Sequence, residues 1–206
     1  MPVLHRLKAL LDKSRGLDFL APLALRLYLA PVFWLAGTSK LNDRWLPNEN
    51  TVAWFGNAEW GLGLPMPWVM VALAAYTEVL GAIALLLGGF VRLFAIPLMI
   101  TMLVALFTVH WENGWQAIAD PSFCLFNCAD AQAAALRLDQ ARELLRTHGQ
   151  YDWLTEQGSF AVLNNGIEFA ATYFVMLLTL FFTGAGRYLS LDFWAARRIQ
   201  AQAAVS

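Results

Sequence analysis

Four apolar stretches, Leu17–Gly37, Trp68–Leu87, Leu93–Val109 and Gly166–Thr183, constrain this chain more than anything else in it, because each approaches the length of a bilayer crossing. At about 1.5 Å of rise per residue, roughly twenty residues cover a ~30 Å hydrocarbon layer. The composition agrees, with 59% hydrophobic and 14% charged residues and a mean hydropathy of +0.51. An all-α globule with buried helices could be as rich in Leu and Ala. Yet the stretch from Trp68 to Leu87 carries one charge, Glu78, and lacks the polar face that a water-soluble amphipathic helix must show. The first stretch reads as a retained span rather than a cleaved signal, since Arg26 and Pro31 interrupt it. The expected fold is therefore all-α: a single membrane domain over 1–206, a four-transmembrane-helix bundle with spans 17–37, 68–87, 93–109 and 166–183.

Basic residues near span ends set the orientation. Arg6, Lys8, Lys13 and Arg15 precede the first span, Arg92 lies in the turn between spans two and three, and Arg187, Arg197 and Arg198 follow the fourth. Lys40, Arg44, Arg137, Arg142 and Arg146 sit instead among the acidic residues of the loops. Both termini are accordingly expected in the cytoplasm, with loops 38–67 and 110–165 extracytoplasmic. Gly88 to Arg92 is a tight turn, which makes spans two and three antiparallel neighbours. Loop 38–67 mixes Pro and Gly with Trp45, Trp54, Phe55 and Trp60, side chains suited to the headgroup layer, and is expected to fold back on the bundle. In the longer second loop, Asp130 to Arg146 reads as a helix, with Asp139/Arg142 and Glu143/Arg146 as spaced pairs and Gly149 as its stop.

Ionisable groups inside hydrocarbon cost several kcal/mol unless paired or hydrated, so Arg26, Glu78 and Glu168 are the candidate polar intramembrane site. Counting turns from the cytoplasmic ends puts Arg26 and Glu78 both at ~13 Å and Glu168 at ~22 Å, near the level of His110, Asn164 and Asn165. Two readings follow. Arg26 and Glu78 form a structural ion pair, or all three line a pocket that handles a proton, a quinone head or a metal. Glu168 is the stronger catalytic candidate of the acids, with His110, because a desolvated carboxylate there favours its protonated form and could take up a proton.

Cys124 and Cys128 are the two cysteines, spaced for a disulfide that an oxidising outer face would favour. The alternative is a metal site, two thiolates with His110 or Met residues binding Cu(I). His148 suits a helix C-terminus and His5 belongs to the basic tail. No nucleophilic triad, phosphate-binding glycine loop or nucleic-acid surface is present. Small residues Gly81, Ala82 and Ala84 permit close helix contact, within the chain or in a homo-oligomer.

Taken together, Leu25-Arg26-Leu27, Gly37-Thr38-Ser39-Lys40-Leu41, Glu78-Val79-Leu80-Gly81-Ala82, the turn Gly88 to Arg92 and the ending Gly184-Ala185-Gly186-Arg187-Tyr188-Leu189-Ser190-Leu191-Asp192 resemble the DoxX family of small four-helix bacterial membrane proteins. The resemblance runs from about Gly16 to Asp192. Trp54-Phe55-Gly56-Asn57, Gly61-Leu62-Gly63-Leu64-Pro65 and the run from Phe107 to Trp115 are similar to its HvfX subgroup. Members of that subgroup accompany copper-binding, ribosomally made and modified peptides (RiPPs), including bufferins. The resemblance implies an inner-membrane accessory protein for copper and metal stress or for maturation of a cysteine-rich peptide, with that peptide or its biosynthetic proteins as partners beside the lipid bilayer. Relatives in the wider family imply the alternative, a membrane subunit of a quinone-linked oxidoreductase acting on a sulfur donor. Whether the chain is an enzyme, and whether copper or quinone is its cofactor, the residues leave open.

Overall fold

The computed structural model describes residues 12, 15–123 and 125–204. Arg6, Lys8 and Lys13 of the basic tail, and Cys124, lie outside the described residues. The protein is all-helical, with 67% of residues in helix and no strand among the described residues. Among the described residues these α-helices follow one another: α1 (Leu20–Ser39), α2 (Glu49–Gly56), α3 (Pro67–Leu87), α4 (Val91–Ala105), α5 (Ala129–His148), α6 (Tyr151–Leu154), α7 (Glu168–Thr183) and α8 (Leu191–Ala203). Among the described residues, three helical runs are long and apolar enough to cross a membrane: α1, α3, and Val91–Asn113, in which α4 continues through further helical turns. α7 is apolar but shorter, 16 residues, or ~24 Å of rise. It starts two residues later than the apolar run because Gly166 and Ile167 spend their N–H groups on the carbonyls of Gln116 and Gly114.

The chain divides into two compact units, one of Met1–Thr101 with Tyr173–Ser206, the other of Met102–Thr172. In the first, α1 packs along α3. The approach is close because Gly37 has no side chain: a Cβ there would stand 2.8 Å from Val79 Cγ2 and 2.9 Å from the Ala75 carbonyl. Leu29, Phe33, Val71, Ala75, Leu85, Leu98, Leu177 and Leu180 fill the interior. Gly81, Ala82 and Ala84 are also inside, with Gly81 against Leu98, so these small residues serve packing within the chain. Large apolar side chains equally cover the outside, among them Leu27 at 50% exposure, Leu35 at 67% and Leu93 at 63%. A surface of that kind is stable against lipid and not against water.

The first loop does fold back. Asn48 caps α2 by accepting the Asn50 N–H, α2 packs on α3, and Tyr76 Oη donates to the Trp45 carbonyl at 2.6 Å. Three residues, 88–90, turn α3 into α4. Gly88 takes the left-handed conformation, φ +67°, that ends α3.

The second unit is held by hydrogen bonds between two loop segments rather than by helix packing alone. Ile118 bridges to Leu163 in antiparallel fashion, and Ala119 N–H donates to the Val162 carbonyl. Leu106, Ile167 and Ala170 form its apolar centre, with Trp115, Phe126 and Ala171 against it. α5 ends with Gly149 as its C-cap. Of the two spaced pairs on α5, Asp139 and Arg142 meet at 3.3 Å, while Arg146 turns to the Tyr151 ring, 4.8 Å from its centroid.

Candidate functional site

Arg26 and Glu78 do not pair with each other. Arg26, 1% exposed, gives every hydrogen bond to backbone: Nε to the Leu85 carbonyl at 2.7 Å, Nη2 to Leu86 at 3.1 Å, and Nη1 to Ala185 at 2.8 Å and Leu189 at 3.0 Å. Leu85 and Leu86 are in the last turn of α3, whose carbonyls lack helical partners and carry the negative end of the helix dipole. Asp192 adds an attractive charge, and its own carboxylate accepts the Phe90 and Val91 N–H groups that open α4, at 2.7 and 3.1 Å. The Asp192 N–H closes the loop on the Gly88 carbonyl at 3.0 Å. A Cβ on Gly88 would lie 2.5 Å from the Arg26 guanidinium. One arginine thus fastens α1 to the end of α3 and to the segment before α8.

Glu78, 2% exposed, pairs instead with Lys40, whose Nζ lies 2.6 Å from Oε2 and also donates to the Ala36 carbonyl at 2.9 Å. Arg26 and Glu78 reach different partners for a directional reason. Side chains on a helix lean toward its N-terminus; in the antiparallel pair α1/α3, Arg26 leans toward one end and Glu78 toward the other. In addition α1 begins at Leu20, not Leu17, which shifts its level against α3. Lys40 was legible only as a loop charge, although it directly follows the last turn of α1.

The second unit holds the other candidates, Glu168 and His110. Glu168 opens α7, and its Oε2 accepts the Ala117 N–H at 2.9 Å. It lines a pocket of about 340 Å³ with Trp115, Gln116, Asp120, Phe123 and Phe169. Buried Gln116 shapes that pocket by donating Nε2 to the Asp120 carbonyl at 2.8 Å and to the Phe123 carbonyl. Asp120 is exposed, and the Ser122 hydroxyl and N–H, at 2.6 and 2.8 Å, hold its carboxyl below the usual carboxylate range.

His110 ends a π turn, Leu106–His110, a helical irregularity frequent at functional sites. Its Nδ1 lies 2.8 Å from the Asn165 carbonyl, which can only accept, so Nδ1 donates to it and, in a neutral ring, the lone pair falls on Nε2. Asn113 donates to the same carbonyl at 3.2 Å, and Asn164 Nδ2 donates to the carbonyls of Asn113 and Gln116 at 2.6 and 2.9 Å. Because Asn165 N–H donates to the Ala117 carbonyl, a chain of backbone groups connects His110 to Glu168. These asparagines were expected at that level; their role as fasteners of two distant segments was not. Cys128 is disulfide-bonded and stands at the start of α5, while Cys124 lies outside the described residues. No group of three or more His, Cys, Asp or Glu able to hold a metal occurs among the described residues.

Membrane-length helices that expose leucine outward and satisfy their charges inward define a multi-pass membrane protein. Residues 21–111 match the model of the DoxX family, and over that span the chain is similar to it. Arg26, Lys40, Glu78 and His110 fall within the match; Cys128, Glu168 and Asp192 fall beyond it. No curated protein and no solved structure matches the chain.

Proposed function

We propose that the protein is a DoxX-like accessory protein of the bacterial inner membrane, with α7 as a fourth span, both termini cytoplasmic and residues 110–165 on the outer face. Its role in this reading is to contact a copper-binding, cysteine-rich modified peptide during metal stress or maturation, as the HvfX-like motifs suggest. The observation that carries the reading is the open Nε2 of His110, oriented by the Asn165 carbonyl. Imidazole is a good copper ligand. A single oriented imidazole suits a shared site, in which the peptide's thiolates supply the remaining ligands and the metal passes on. A half-cystine at Cys128 fits an oxidising face, and Cys124 is its proposed partner. Exposed Trp111, Phe123 and Leu125 offer apolar area for a peptide.

The test is titration of Cu(I) in a peptide complex of the detergent-purified protein, followed by crosslinking. Wild type should capture the loaded peptide, and His110→Ala should lose at least about tenfold in affinity, the weight of one ligand. Equal capture by both proteins rejects the reading. Reduction of added quinone in proteoliposomes with thiosulfate or a peptide thiol as donor would replace it with the oxidoreductase.

A further inference from the structure

A pocket of about 840 Å³ in the first unit lies where α1 and α4 begin and α7 ends. Phe19, Pro22, Leu93 and Phe193 make its apolar walls, and its charges are Asp18, Arg92, Arg187 and Asp192. Those charges are not equally committed. Asp192 gives both oxygens to the N–H groups of Phe90 and Val91, and Asp18 faces Arg187 at 3.4 Å. Arg92 donates one N–H, from Nη2, to the Phe182 carbonyl at 3.0 Å, and no carboxylate pairs with it among the described residues. Gly184 leaves room for this arrangement, since a Cβ there would stand 3.2 Å from Arg92 Nε. A guanidinium is thus held by one edge at the mouth of an apolar pocket, at the level where membrane-length helices end.

α8 leads away from the same pocket and has the composition of a helix lying in the headgroup layer. Leu191, Trp194 and Ile199 are exposed, Arg197 lies 5.8 Å from the Trp194 ring, and Arg198 follows.

We propose that this pocket binds the phosphodiester headgroup of an anionic phospholipid, with Arg92 as the principal contact, Arg187 as the second, and the acyl chains running along the apolar walls. The remaining N–H fork of Arg92 matches two oxygens of a phosphate, and the walls match the lipid's apolar part. Free phosphate would satisfy only the fork. The proposal rests on the membrane placement of the helices and not on the peptide reading.

Native mass spectrometry of the full chain in detergent, with phosphatidylglycerol, phosphatidylcholine or inorganic phosphate added, tests it. Wild type should retain phosphatidylglycerol in preference to phosphatidylcholine, and millimolar phosphate should not displace it. Arg92→Gln should lower phosphatidylglycerol affinity about tenfold, the weight of one charge-assisted hydrogen-bond pair, and Arg92→Lys by less. The Arg197→Gln/Arg198→Gln double variant, which leaves the pocket intact, should lose less than Arg92→Gln. Retention by Arg92→Gln equal to wild type, displacement by inorganic phosphate, or a larger loss in the α8 variant overturns the proposal. If Arg92→Gln fails to fold, Arg92→Lys carries the test: binding and phosphate sensitivity identical to wild type overturn it equally.

Discussion

The buried charges of the first unit, Arg26 and Glu78, and the half-buried polar groups of the second are built to different ends. Arg26 gives four hydrogen bonds to carbonyls, and Glu78 faces an ammonium at 2.6 Å through Oε2; both are buried. In the second unit, Glu168 engages one carboxylate oxygen, His110 one ring nitrogen, and neither is fully buried. Charges that cost the most to bury are consumed in holding helices together; the cheaper, half-buried groups keep capacity to spare for chemistry.

That contrast can be broken by substitution. Arg26→Leu strands the carbonyls it serves and should cost the most, about 3–5 kcal/mol, read as loss of monodisperse protein or a collapse of the thermal midpoint in detergent. Next, Glu78→Gln leaves Lys40 without its counter-charge and should cost about 2–3 kcal/mol, with Lys40→Met on the same background recovering part of it in a double-mutant cycle. Gly88→Ala forces a left-handed alanine against the guanidinium and should cost at least about 1–2 kcal/mol. Glu168→Gln keeps an oxygen for the Ala117 N–H and should move stability by less than about 1 kcal/mol, as should His110→Ala. A loss at Glu168 as large as at Glu78 would erase the distinction; a silent His110→Ala in peptide capture would leave it standing but strip it of function.

The positions of α1, α3 and the run from Val91 were legible because a membrane-length apolar stretch has few alternative solutions, and the turn at Gly88 because only a glycine closes it so cheaply. The cost of burying charge drew attention to Arg26 and Glu78, which are indeed buried, but the ion pair expected between them does not form. Their partners were not legible. Which way a long side chain leans, and how α1 is registered against α3, depend on Gly37 meeting Val79 and on where α1 starts, and neither is written locally. The fastening of 113–119 to 162–168 is likewise long-range, carried by backbone groups that every residue has and so invisible to any motif. Leucines exposed on the long helices and a first loop folded back onto α3 agree with what hydropathy predicts.

The bonds of Arg26 to Ala185 and Leu189 join residues 159 and 163 positions apart. Its other two acceptors, Leu85 and Leu86, follow it by 59 and 60 positions, so one side chain draws together three stretches that are far apart in the chain. The burial of Arg26 is thus a property of the whole first unit: its guanidinium is fully served only when the segment around Ala185 and Leu189 has closed over α1.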